Sequence, residues 1–178
     1  PMFPGGRFAA GYFVNYGQDG HTAVADQSDK YVYSTANNGF WDNGDDVILG
    51  RVLRSKLPSL SAAEWQFYTG GDGAQDGGWS PDMNAAKLVL DRPGKIGMGG
   101  PVYVPKWKCY LMVDWYYPAG SGRVTSDASK TAQWDFFTAE HPWGPWKMIG
   151  GSRVWHPEGF YGAQVCPKFT SPDGNTVW

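Results

Sequence analysis

The chain has 178 residues, the size of one domain, and its 42% hydrophobic content supplies a core, which excludes a disordered chain. It holds 25 Gly, 13 Pro and ten Trp but only two Cys; the Gly has no collagen period, and the Cys are too few for a disulfide scaffold. A net charge of -2 lacks the basic surplus of a phosphate-driven nucleic-acid binder, and no apolar run reaches the roughly 18 residues that a membrane span needs.

In chain order, residues 1–6 lack the basic and apolar regions of a signal peptide, which is compatible with one already removed. Aromatic and β-branched runs then predict strands over residues 11–16, 30–35, 46–53 and 65–69. Ser61-Ala62-Ala63-Glu64 reads as a capping box and Ser80-Pro81-Asp82 as a helix start, each good for two turns at most. Further strands are predicted over residues 101–104, 109–116, 134–138, 146–149, 164–169 and 176–178. Asp19-Gly20, Asn38-Gly39, Asn43-Gly44 and Asp173-Gly174 mark turns between them. Many short strands with such turns indicate an antiparallel all-β fold.

A degenerate repeat groups these strands by four. The units span about residues 6–71 and 97–151, each ending in Trp, an apolar run and a Gly pair, with a third beginning near 158 and running to 178. Four-stranded units in series are the pattern of a β-propeller, and a β-sandwich is the alternative.

Several stretches carry a family likeness. They are residues 6–17, from Gly6-Arg7-Phe8 to Tyr16-Gly17; Asp29-Lys30-Tyr31-Val32-Tyr33 through Trp41-Asp42-Asn43-Gly44-Asp45; Ile48-Leu49-Gly50-Arg51-Val52; His141-Pro142-Trp143-Gly144-Pro145-Trp146; and Pro167-Lys168-Phe169. Together they resemble uncharacterised secreted propeller proteins of the DUF4185 type, which are related to five-bladed glycoside hydrolases such as the arabinanase-like enzymes. The resemblance implies a secreted, five-bladed propeller, of which this chain would cover about two and a half blades as a single partial domain. It would then complete its ring as a homodimer or as part of a longer chain. The implied partner is a carbohydrate, without nucleic acid or membrane.

Glycoside hydrolysis needs two carboxyl groups flanking the scissile bond. Glu158, among Trp155, Phe160 and Tyr161 before the third unit, is the candidate general acid; Asp19 and Asp26, after the first strand, are candidate bases. Each can also be a solvated loop carboxylate. Asp114, inside an aromatic strand, must be paired if buried, and is either structural or functional. Flat aromatic side chains suit sugar faces, which makes Trp41, Trp115, Tyr117 and Trp155 candidate substrate contacts, with Arg7 beside them; most other Trp, Trp65, Trp134 and Trp146 first, are expected to fill the core. No cofactor is expected. Asp42 and Asp45 offer oxygen ligands for Ca²⁺ on a tight turn, although an Asx turn accounts for them as well. Cys109 and Cys166 are expected as buried free thiols, and no zinc, nucleophile-elbow or Walker motif occurs. The expected function is glycoside hydrolysis through two carboxylates; the alternatives are a sugar-binding module without catalysis and a structural propeller.

Overall fold

Alternating aromatic and polar residues place successive side chains on opposite faces of a strand, and the chain builds two antiparallel sheets from such segments. The computed structural model describes residues 3, 7–8, 11–16, 30–38, 43–97, 99–118, 132–152, 162–169, 171 and 175–176. The strands are β1 (Tyr12–Phe13), β2 (Tyr31–Asn37), β3 (Gly44–Leu53), β4 (Trp65–Tyr68), β5 (Trp79–Ser80), β6 (Leu88–Ile96), β7 (Val102–Val104), β8 (Cys109–Tyr116), β9 (Gln133–Ala139) and β10 (Lys147–Ser152). The first sheet runs β1-β2-β3-β4-β5 with β6 also on β3; the second runs β10-β9-β8-β7. Helical structure among the described residues is confined to single 3-10 turns. At Met83–Ala85 the cap is Asp82, whose carboxylate accepts from the Asn84 amide, rather than Ser80.

The two predicted sets of four strands are present as β1–β4 and β7–β10, each set antiparallel and joined in chain order. Strands β5 and β6 are additions. The ten-residue β3 changes partner along its length: Gly50–Val52 pair with β4, whereas Gly44–Ile48 pair with β6 through two register shifts. β6 tolerates Pro93 and Gly94 because it is an edge strand, where a missing amide breaks no ladder. The strand expected at 164–169 is absent: residues 162–166 are irregular and Pro167–Phe169 form a 3-10 turn, since Pro167 brings no amide to a ladder.

The faces follow the register. Tyr31, Tyr33, Leu49, Tyr68 and Trp79 on one face of the first sheet pack against Tyr110 and Trp143 of the second. Ile48, Val52, Trp65 and Phe67 on the other face are covered by Phe8 and by Phe3. The outer face of the second sheet buries Leu111, Val113 and Trp115 against Ala163 and Val165. Trp65 is buried as expected, while Trp134 and Trp146 are half-buried. The sheets also meet at their first strands: Asn15 and Val102 form a parallel bridge, with the Asn15 amide donating to the Pro101 carbonyl at 2.8 Å and the Tyr103 amide to the Asn15 carbonyl at 2.7 Å.

Candidate functional site

Of the acids predicted from sequence, Asp19, Asp26 and Glu158 lie outside the described residues, as do Trp41, Asp42 and Trp155. Asp114 lies at the sheet interface. It sits directly opposite Asp135 in the β8–β9 register, so both carboxylates occupy the face turned towards the first sheet. Arg92 of β6 crosses to them. Its Nη1 donates to Asp114 Oδ2 at 3.1 Å and its Nη2 to Asp135 Oδ2 at 2.5 Å, while the Gly97 amide donates to Asp114 Oδ1 and Gln133 Nε2 to Asp135 Oδ1. Both carboxylate side chains are 2% exposed and none of the described cavities reaches them. A buried carboxylate is tolerated only when paired and hydrogen-bonded, and these oxygens are occupied by holding β6 against β8 and β9. Asp114 is therefore a structural clamp in this arrangement.

The predicted sugar contacts that are described lie in packing positions. Trp115 is 1% exposed in the core of the second sheet, edge-on to Tyr117. Tyr117 is buried too, its backbone amide donating to Asn43 Oδ1, and Asn43 Nδ2 donating in turn to the Tyr117 and Gly94 carbonyls. Neither ring leaves a face for a ligand. Arg7 is half-buried near Asp46, whose carboxyl is pushed up by burial and drawn back down by the Arg7 charge. Asp45 ties its strand to residues distant in sequence: Oδ1 accepts from the Gly94 amide and Oδ2 from Asn38 Nδ2.

A groove of about 770 Å³ opens instead where β8 begins and β9 ends, lined by Trp107, Lys108, Glu140, His141, Pro145 and Lys147 among others. Two local features shape it. In the tight turn from β7 to β8 the Trp107 amide donates to the Val104 carbonyl, and Lys108 takes the left-handed conformation at φ 52°, uncommon for a residue with a side chain. Trp107 is thereby left 41% exposed on the rim. On the opposite wall the His141 ring stacks on Trp143 at 4.9 Å, and Trp143 is anchored in the inter-sheet core. Cys109 lines the groove as a half-buried free thiol, and burial and then the Glu140 charge push its pKa up. Cys166 is also free and half-buried.

Among the described residues the groove carries one carboxylate, Glu140, beside two lysines. That composition suits recognition of a polar ligand and falls short of the acid pair that hydrolysis uses. Trp107 is missed by sequence reasoning because attention falls on aromatics beside the predicted inner strands. The available signal is its neighbourhood, Pro105-Lys106-Trp107-Lys108: a Trp between two lysines in a turn has little core to fill.

No protein-family model matches the chain, and no curated protein matches its sequence.

Proposed function

We propose that this chain is a carbohydrate-binding protein of the propeller type, related to the DUF4185-type proteins, whose groove beside the β7–β8 turn holds a secreted-environment glycan. The observation that carries the reading is Trp107, a large aromatic held out of the core on the rim of a groove that also carries Lys108, Glu140, His141 and Lys147. Aromatic faces match the C–H faces of sugar rings, while Lys and Glu side chains serve hydroxyl groups. For the propeller, support comes from two consecutive four-stranded antiparallel sets whose first strands approach in parallel. Closing a ring requires further blades, which a second copy or further chain would supply. Edge strand β10, with Met148 and Ile149 more than half exposed, offers a surface for that contact.

Affinity electrophoresis in gels containing arabinan and other neutral polysaccharides tests the reading. Retardation of the wild-type protein, reduced about tenfold in affinity by Trp107→Ala at unchanged melting temperature, is expected; about 1.4 kcal/mol corresponds to that factor. Equal retardation of the variant would remove the groove from the account. Hydrolysis through Glu158 with Asp19 or Asp26 is the catalytic form of the same proposal and rests on the sequence resemblance. Release of sugar by the wild type, abolished in Glu158→Gln with binding kept, is its expected outcome; turnover unaffected by the change would discard Glu158.

A further inference from the structure

Arg51 is buried in the inter-sheet core, its side chain 1% exposed, on the face of β3 opposite Tyr33 and Gln66. Its guanidinium is sandwiched between the rings of Tyr31, 3.9 Å from its centroid, and Trp79, at 4.4 Å. Nε donates to Gln66 Oε1 at 3.0 Å, and Nη2 donates to Asp76 Oδ1 at 2.8 Å. Nη1 is fully buried and has no hydrogen-bond partner. The guanidinium fork, built to grip a carboxylate with two parallel bonds, is thus held rigid but only half used.

Asp76 is an unusual counter-ion for so buried a charge, because its own side chain is 68% exposed. The backbone around it is fixed: Trp79 Nε1 donates to the Gly73 carbonyl, the Tyr68 hydroxyl to the Gly71 carbonyl, and the Thr69 amide to the Gly78 carbonyl. Asp76 Oδ1 also accepts from the Tyr31 hydroxyl at 3.2 Å, and rotation of the Asp76 side chain, giving up both bonds, uncovers Nη2 without unfolding the loop. Arg51 is also among the residues lining a cavity of about 200 Å³, together with Tyr31, Gln66, Trp65 and Pro81. Lys30 lies 4.0 Å from Asp76 Oδ2, whereas Glu64, also on the cavity wall, pairs with Lys56 at 3.4 Å. Arg51 and Lys30 against Asp76 leave one positive charge in excess.

We propose that Arg51 is the receptor of a carboxylate-binding site and that the Asp76 carboxylate is its tethered, displaceable occupant. An incoming carboxylate takes both Nη1 and Nη2, Asp76 rotates into solvent, Lys30 faces the complex, and the Tyr31–Trp79 sandwich holds the fork in register. The ligand class is a small organic acid or the uronic acid of an acidic sugar. The site is separate from the Trp107 groove and stands or falls independently of it.

Titration calorimetry with sodium glucuronate, sodium acetate and glucose tests this on the wild-type protein, Asp76→Asn and Arg51→Lys. Glucuronate is expected to bind, about tenfold more tightly to Asp76→Asn, where the competing charge is gone, and at least about tenfold more weakly to Arg51→Lys, which keeps a charge but loses the fork. Glucose is expected not to compete. Acetate binding as tightly as glucuronate assigns recognition to the carboxylate alone; weaker acetate binding assigns it to an acidic sugar. Should Arg51→Lys fail to fold, Asp76→Asn decides alone, since Asp76 is exposed. No gain in Asp76→Asn, or glucose competing as well as glucuronate, overturns the proposal.

Discussion

Arg92 shows how one residue joins two sheets. Its guanidinium meets Asp114 and Asp135 across 22 and 43 residues of sequence and lies over the rings of Tyr116 and Phe137. Removing one partner of a buried ion pair leaves uncompensated charge, at a cost of about 3–5 kcal/mol. Arg92→Met should accordingly lower the unfolding free energy by that amount, seen as a lower urea midpoint at unchanged slope; a loss below about 1 kcal/mol would show the clamp to be dispensable. Asp76 illustrates the opposite, exposed case. The Arg51 hydrogen bond first, and then the Lys30 charge, hold its carboxyl below the usual carboxylate range. Its contribution to stability is thus complete above the ordinary carboxylate pKa and is lost as pH falls through the lowered one. Melting temperatures measured from pH 6 down to pH 2 should fall less steeply for Asp76→Asn than for the wild type. At this scale the sequence was partly legible: a strand Asp in Val113-Asp114-Trp115 announces a required partner, but nothing local says that the partner is Arg92, because the pairing depends on how two sheets stack.

Elements were the most legible level where aromatic and β-branched residues cluster. The runs that became β2, β3, β8 and β9 are rich in aromatic and branched apolar residues, and β2, β3 and β8 are buried on both faces along most of their length. Strand β6 escaped notice because Asp91-Arg92-Pro93-Gly94 has the composition of a turn. Only the second partner of β3, and the Asp114 and Asp135 carboxylates waiting across the interface, make it a strand. The predicted strand at 164–169 erred the other way, since its apolar Val165, like the neighbouring Ala163, is buried without any ladder. The loop over residues 70–78, rich in Gly, suggests mobility by composition but is pinned. A Cβ on Gly73 would run into the Trp143 indole, which is itself wedged between Tyr33 and Tyr68. Gly73→Ala should cost about 1–3 kcal/mol by overpacking, whereas Gly77→Ala, with open space around it, should change the urea midpoint little. Equal effects of the two changes would contradict the pinned-loop description.

In the whole molecule, stacking of the two sheets creates what neither has alone: Trp143, whose indole supports the His141 ring of the groove, packs on Tyr33 and Tyr68 of the first sheet, and the Arg92 clamp joins β6 to β8 and β9. All-β character was legible in the sequence because it is a sum of local aromatic and β-branched runs divided by turn residues. The groove was not, because it forms where the β7–β8 turn, the end of β9 and the start of β10 converge. Its proposed role in holding a glycan is the central claim. The most direct test is ¹⁵N-resolved NMR of the protein titrated with an arabino-oligosaccharide. Saturable shifts of the Trp107 indole N–H and of the amides of residues 107–109, 138–141 and 147, with the buried Trp115 indole unmoved, are the predicted result. Shifts confined to other residues, or none at millimolar ligand, would contradict it.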